Sequence, residues 1–78
     1  MMLASVLKED EVLYAGLRVS LNPHAGAGAV VGFLYLPPGA SLEVGEYVLK
    51  LGDGRTFTAT FMSVRGGIAM FRGVEMSD

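Results

Sequence analysis

Residues Tyr47 to Phe71 read YVLKLGDGRTFTATFMSVRGGIAMF, and this stretch decides the fold class: three antiparallel strands joined by two short glycine turns. The first turn is Gly52-Asp53-Gly54. If only Asp53 and Gly54 formed the loop, Leu49 would oppose Thr58 and Lys50 would oppose Phe57, mixing polar and apolar side chains on both faces. A three-residue loop instead pairs Leu49 with Phe57, Tyr47 with Ala59, Lys50 with Thr56 and Glu46 with Thr60, which separates an apolar face from a polar one. A one-residue slip flips every side chain, so the second register is expected, with a left-handed glycine at Gly54 closing a type I turn.

The same reasoning applied to the second turn favours Arg65-Gly66-Gly67 as the loop, with Gly67 left-handed. Phe61 then faces Phe71 and Ser63 faces Ala69 on the inner side, while Met62 stacks on Met70 and Val64 on Ile68 outside. A tighter Gly66-Gly67 loop would pair Phe61 with Arg72 and Ser63 with Met70. The favoured register leaves an apolar outer patch that needs cover, from the amino-terminal segment or from another subunit.

Upstream, Leu13, Ala15, Leu17, Val19 and Leu21 alternate with Tyr14, Gly16, Arg18 and Ser20, the period of a strand. Gly16 in its middle suggests the bulge or bend that a closing barrel needs. Met1 to Lys8 reads as a short helix, with Leu3 and Leu7 one turn apart, or as a frayed strand; the first eleven residues would otherwise be disordered. After the loop that begins at Asn22-Pro23-His24, Ala29 to Leu36 is strand-like and apolar on both faces. Val30, Gly32, Leu34 and Leu36 would point one way and Val31, Phe33 and Tyr35 the other, so this strand is expected to be covered on both sides. Pro37-Pro38-Gly39 ends it, and Leu42 and Val44 are expected to tuck inward from the connection that follows. The tail Glu75 to Asp78 should fray. Short strands spaced by glycine and proline turns, with no long helical period, predict one small five- to six-stranded antiparallel barrel, SH3-like or OB-like, ending in a three-stranded meander.

With 78 residues, such a domain has a stability margin of roughly 3–5 kcal/mol. Its hydrophobic fraction is 51% and its charged fraction 18%, against a usual charged share of about 25%. That is little charge for the surface of so small a domain, and it favours self-association or burial in an assembly. The net charge of −2 is unevenly placed. Lys50, Arg55, Arg65 and Arg72 make the Tyr47 to Val74 block positive, while Glu9, Asp10, Glu11, Glu43 and Glu46 make the earlier part acidic. This arrangement would suit a basic patch for phosphate or nucleic acid, or one subunit's acidic end meeting another's basic end.

Specific chemistry is thinly represented. There is no cysteine, which excludes disulfides, a thiolate nucleophile and cysteine-based metal sites. His24 is the only histidine, and a serine nucleophile would need it to converge with an acid such as Asp10 or Asp53 and with Ser20, Ser41 or Ser63. No nucleophile-elbow spacing supports that. Gly26-Ala27-Gly28 leads into a strand, Val31 stands where a dinucleotide fingerprint wants its third glycine, and no helix end follows to supply free amides. No catalytic residue, metal ligand or cofactor is therefore assigned. Met1 to Leu7 precedes Lys8-Glu9-Asp10-Glu11, the wrong order for a secretory signal, and Ala25 to Leu36 is too short to cross a bilayer. A soluble, cytoplasmic chain without a membrane role is expected.

In order, Leu42-Glu43-Val44-Gly45, Tyr47 to Leu51, Asp53-Gly54-Arg55, Val64 and Phe71 resemble the second half of PilZ-type barrels, which bind a cyclic dinucleotide. The likeness covers less than half of the chain. The family's paired arginines have no counterpart near the amino terminus, where only Arg18 stands, and its aspartate and serine ahead of a glycine have none before Gly32. No ligand is carried over.

The expected function is that of a non-catalytic structural or protein-interaction module, self-associating through apolar strand faces or docking another protein. Its interface residues would be Met62, Val64, Ile68, Met70, Val31, Phe33 and Tyr35. The alternative is a binding module for nucleic acid or a small anion, such as a nucleotide, using Arg55, Arg65, Arg72 and Lys50. Tyr47, Phe57, Phe61 and Phe71 are expected to be core, leaving Tyr14, Phe33 and Tyr35, all in the acidic half, as the exposed aromatics.

Overall fold

Alternation of apolar and polar residues with period two produces six strands in a computed structural model of the chain, which describes residues 2–22 and 29–76. They are β1 (Met2–Lys8), β2 (Glu11–Asn22), β3 (Ala29–Tyr35), β4 (Gly45–Leu51), β5 (Thr56–Arg65) and β6 (Ile68–Glu75). All pairings are antiparallel and close a barrel in the order β1-β2-β3-β6-β5-β4. Two three-stranded meanders, β1 to β3 and β4 to β6, thus join edge to edge, with β1 against β4 and β3 against β6. Closure removes the open edges that a small sheet would otherwise expose. Among the described residues there is no helix long and apolar enough to cross a membrane. His24, Gly26 and Gly28 lie outside the described residues.

The amino-terminal segment is neither helix nor disorder. Met2–Lys8 is a barrel strand whose Ala4, Val6 and Leu7 are buried, and it seals the barrel by pairing Ala4 with Leu51 and Val6 with Leu49. Leu3 and Leu7 fit a helical turn equally well on paper; the unpaired edges of β2 and β4 decide for the strand. As the sequence suggests, Gly16 sits in a bulge. Between the pairs Ala4–Leu17 and Val6–Tyr14, β2 advances one residue more than β1, and Gly16 has φ +70°.

The first meander hairpin has the expected register, Tyr47–Ala59, Leu49–Phe57 and Lys50–Thr56. Gly54 has φ +98° and donates to the Leu51 carbonyl at 3.0 Å, and the Leu51 N–H donates to the Arg55 carbonyl at 2.8 Å. The second hairpin differs. Its loop is the tight Gly66-Gly67 pair, φ +61° and +79°, closed by Arg65 opposite Ile68. Two successive left-handed glycines form the turn whose twist matches the flanking strands. Phe61 still pairs with Phe71, because a bulge at Met62 inserts one residue before Ser63 pairs with Met70 and Val64 with Ala69. Turn preference and core register conflict here, and the bulge satisfies both.

The core is made by Val6, Leu34, Leu49, Phe57, Phe61 and Phe71, each at most 1% exposed. Phe61 meets Tyr47 edge-on, with centroids 5.4 Å apart, and Phe71 at 5.2 Å in a tilted pair. Among the described residues no polar or charged side chain is buried. The β3–β4 connection crosses one barrel end. Leu36 donates its N–H to the Gly67 carbonyl at 2.7 Å, Ala40 donates to Pro37 at 3.0 Å, and Leu42 is buried. Val44 does not tuck inward as expected but is 62% exposed, since Leu42 already fills that end. At the carboxyl end Glu75 belongs to β6 and Met76 donates its N–H to Thr56 at 2.8 Å, so the described part of the tail is held.

The β1–β2 turn is built from Glu9 and Asp10 at φ +51° and +68°, conformations that cost L side chains about 1–2 kcal/mol each. Asp10→Gly is therefore expected to stabilise the domain by about 1 kcal/mol, read as a raised midpoint in urea with unchanged slope. An unchanged or lowered midpoint would show that the turn carries no such strain.

Candidate binding face

The pairing of β3 with β6 fixes where the candidate residues meet. On the outer surface Tyr35 lies opposite Ile68, Phe33 opposite Met70 and Val31 opposite Arg72. Across the next strand, Arg65 opposes Ile68, Ser63 opposes Met70 and Thr60 opposes Arg72. Phe33, Tyr35, Met62 and Ile68 are 42%, 37%, 47% and 42% exposed, while Val31 and Met70 are half-buried between them. Six of the seven expected interface residues thus share one side of the barrel. Val64 does not: the Met62 bulge turns it inward, where it packs against the core.

Within one chain β3 is covered on one side. Val30, Gly32 and Leu34 face the core, whereas the other face stays open among the described residues; the amino-terminal segment, expected as one possible cover for the neighbouring meander patch, is instead a strand of the barrel.

Of the expected anion-binding residues only Arg65 and Arg72 belong to this face. Arg18 joins them from β2, its guanidinium carbon 5.6 Å from the centroid of Tyr35, and flanks Tyr35 on the edge away from Ile68. Sequence reasoning placed Arg18 and the exposed aromatics in the acidic half; the β3–β6 pairing brings them to the arginines. Alternation in β2 did carry a signal, since Arg18 falls on the polar side of that strand. In the ladder, Glu46 stands two strands from Arg72 across Thr60, and Glu75 three residues from it along β6. Lys50 pairs with Thr56, nine residues along β5 from Arg65, or about 30 Å of extended strand. The four cations do not form one patch.

Arg55 is engaged in its own turn. Asp53 Oδ1 accepts from the Arg55 backbone N–H at 3.0 Å and Oδ2 from Arg55 Nε at 2.8 Å, and the guanidinium lies 5.7 Å over the Phe57 ring. The backbone N–H of Arg55 holds the Asp53 carboxyl below the usual aspartate range, opposed by desolvation and aided by the Arg55 side chain. A lowered folded-state value stabilises the turn fully above the unfolded aspartate value, about 3.9, and this contribution is lost as the pH falls through the lowered value. Asp53→Asn is expected to flatten the acid limb of stability below about pH 4. Urea titrations at stepped pH check this, and identical acid limbs in both proteins would refute it.

Tyr14 is not a free aromatic. Its hydroxyl donates to the Ser41 carbonyl at 2.9 Å and accepts from the Ser41 N–H at 3.2 Å, tying β2 to the β3–β4 connection. Beyond Tyr14 the β1–β2 hairpin carries exposed Val12 and Leu13, 54% and 40% accessible, beside Glu9, Asp10 and Glu11. Two shallow open depressions lie elsewhere, one between Lys8 and Tyr47, where Lys8 Nζ sits 4.9 Å over the ring, and one beside Met2 and Gly52. Among the described residues no three histidine or acidic side chains gather as metal ligands would. No protein-family model, no curated protein and no solved structure matches this chain.

Proposed function

We propose that this domain is a non-catalytic interaction module, a small barrel of the SH3-like or OB-like kind, that self-associates through the outer face of β3 and β6. One observation carries this reading. The pairs Tyr35–Ile68 and Phe33–Met70 form a continuous apolar strip on regular, paired strands, and no described segment of the chain covers it. Contiguous exposed apolar surface on rigid elements favours a protein partner, and a chain with 18% charged residues has few groups to solvate it otherwise.

Ile68→Glu is expected to reduce the molar mass in solution while leaving stability within about 0.5 kcal/mol, since Ile68 is 42% exposed and outside the core. Light scattering on a sizing column measures the first and urea unfolding the second. A mass identical to that of the unsubstituted protein would count against this face as the interface.

A second reading has its own support. Arg18 stacked on Tyr35, with Arg65 and Arg72 beside the same strip, is a combination of cations and aromatic rings that suits a single-stranded nucleic acid or another anion. Binding of that kind weakens with salt and is lost when the three arginines are neutralised.

A further inference from the structure

The uncovered face raises the question of its occupant, and the chain itself carries a surface of matching chemistry. The Glu9-Asp10-Glu11 end of the β1–β2 hairpin presents three exposed carboxylates beside exposed Val12 and Leu13. The β3–β6 face presents Phe33, Tyr35 and Ile68 framed by Arg18, Arg65 and Arg72. Both surfaces combine charge with apolar area, and their charges are opposite.

Neither surface is satisfied within one chain. Among the described residues the only ion pair is Arg55–Asp53, so the three arginines and the three carboxylates lack partners within salt-bridge distance. Nor can the hairpin fold back onto the face. Arg18 lies six residues beyond Val12 on the same strand, about 20 Å in extended conformation, which exceeds the screening length at physiological salt.

The hairpin also leaves one edge of β2 open. β2 pairs with β3 only from Val19 to Asn22, so among the described residues Glu11 to Leu17 have β1 on one edge and no strand on the other. The Tyr14–Ser41 hydrogen bonds anchor the hairpin at its base, which limits the ordering cost of binding.

Resting on the self-association reading above, we propose that the occupant of the face is the acidic hairpin of a second copy, docked reciprocally. In such a two-fold dimer each chain lays Val12 and Leu13 on the partner's apolar strip, with Glu9 and Glu11 reaching the arginines. The same contact is made twice, and its outermost charges set the orientation.

The test uses the whole chain and charge exchange. Sedimentation equilibrium of the unsubstituted protein over a concentration series should give a dimer that weakens with salt. E9K/E11K and R65E/R72E should each raise the dimer dissociation constant by about tenfold or more, and the variant combining all four changes should recover dimerisation. V12S/L13S, which leaves the charges in place, should weaken the dimer as well. Circular dichroism and melting confirm that each variant is folded, as expected for exposed positions.

Dimerisation of E9K/E11K and V12S/L13S as tight as that of the unsubstituted protein, with Ile68→Glu still monomeric, would overturn the hairpin as occupant and leave the face as an interface. A monomeric unsubstituted protein would overturn both. If that monomer bound a single-stranded oligonucleotide through the three arginines, the face would belong to an anionic ligand instead.

Discussion

Gly32→Ala is expected to remove most of the folded population, with a loss of about 3 kcal/mol or more from a margin of roughly 3–5 kcal/mol. A methyl group at this position would overlap the Ser20 carbonyl oxygen and stand 2.9 Å from the Phe71 ring. The first contact is with backbone that is itself fixed, because Ser20 is paired with Phe33 in the β2–β3 ladder. Nothing there yields except the ladder itself. Gly73→Ala is the control. It occupies a buried position on the neighbouring strand, opposite Val30, yet its added methyl group would meet only ordinary contacts of 3.5–3.6 Å. That substitution should leave stability unchanged or raise it by about 0.5–1 kcal/mol, through the lower entropy of the unfolded chain. Urea unfolding of the two variants compares them directly, and equal stability would remove the close approach at Gly32 from the account of this fold.

Phe71→Ala should cost about 3–5 kcal/mol, enough to unfold a domain of this size. Phe71 is fully buried, pairs with Phe61 on one side, and covers Gly32 on the other, filling the space that the missing side chain leaves. The ring thus spans the junction between the two meanders. Its removal opens a cavity at the strand pair on which the candidate face is displayed, so the loss of stability and the loss of the Phe33–Met70 geometry should occur together. Thermal melting with light scattering reads both. A folded Phe71→Ala protein with normal assembly would show that the face does not depend on this junction.

The contrast between the two glycines bears on how much a sequence reveals. Both are single glycines inside strands, and nothing local distinguishes them; Gly32 is special because the β2–β3 ladder sets the Ser20 carbonyl against it and its cross-strand partner on β6 is Phe71, 39 residues away. The second turn teaches the converse. Gly66-Gly67 is a strong local signal for a two-residue turn, and Phe61–Phe71 a strong core signal, and taken alone each excludes the other. A bulge at Met62 reconciles them, at the cost of turning Val64 inward and away from the face that it was expected to join.

The candidate site follows the same pattern. Apolar alternation in β3, β5 and β6 marked six of its residues, because period-two patterning puts Val31, Phe33 and Tyr35 on one side of a strand whatever that strand pairs with. Arg18 was missed as a member. Its membership depends on β2 pairing with β3 and β3 with β6, and no local rule states which strands become neighbours.

From the residues alone follow the all-β class, the small antiparallel barrel, the closing meander with its first register and the bulge at Gly16, since hydrophobic periodicity and glycine stereochemistry act over a few residues. The tertiary structure decided that the amino-terminal segment is a sixth strand, that β3 lies against β6, and that aromatic side chains from an acidic stretch stand among arginines from a basic one. These outcomes come from barrel closure, which satisfies the backbone of β1, β3, β4 and β6 only when strands distant in the chain meet.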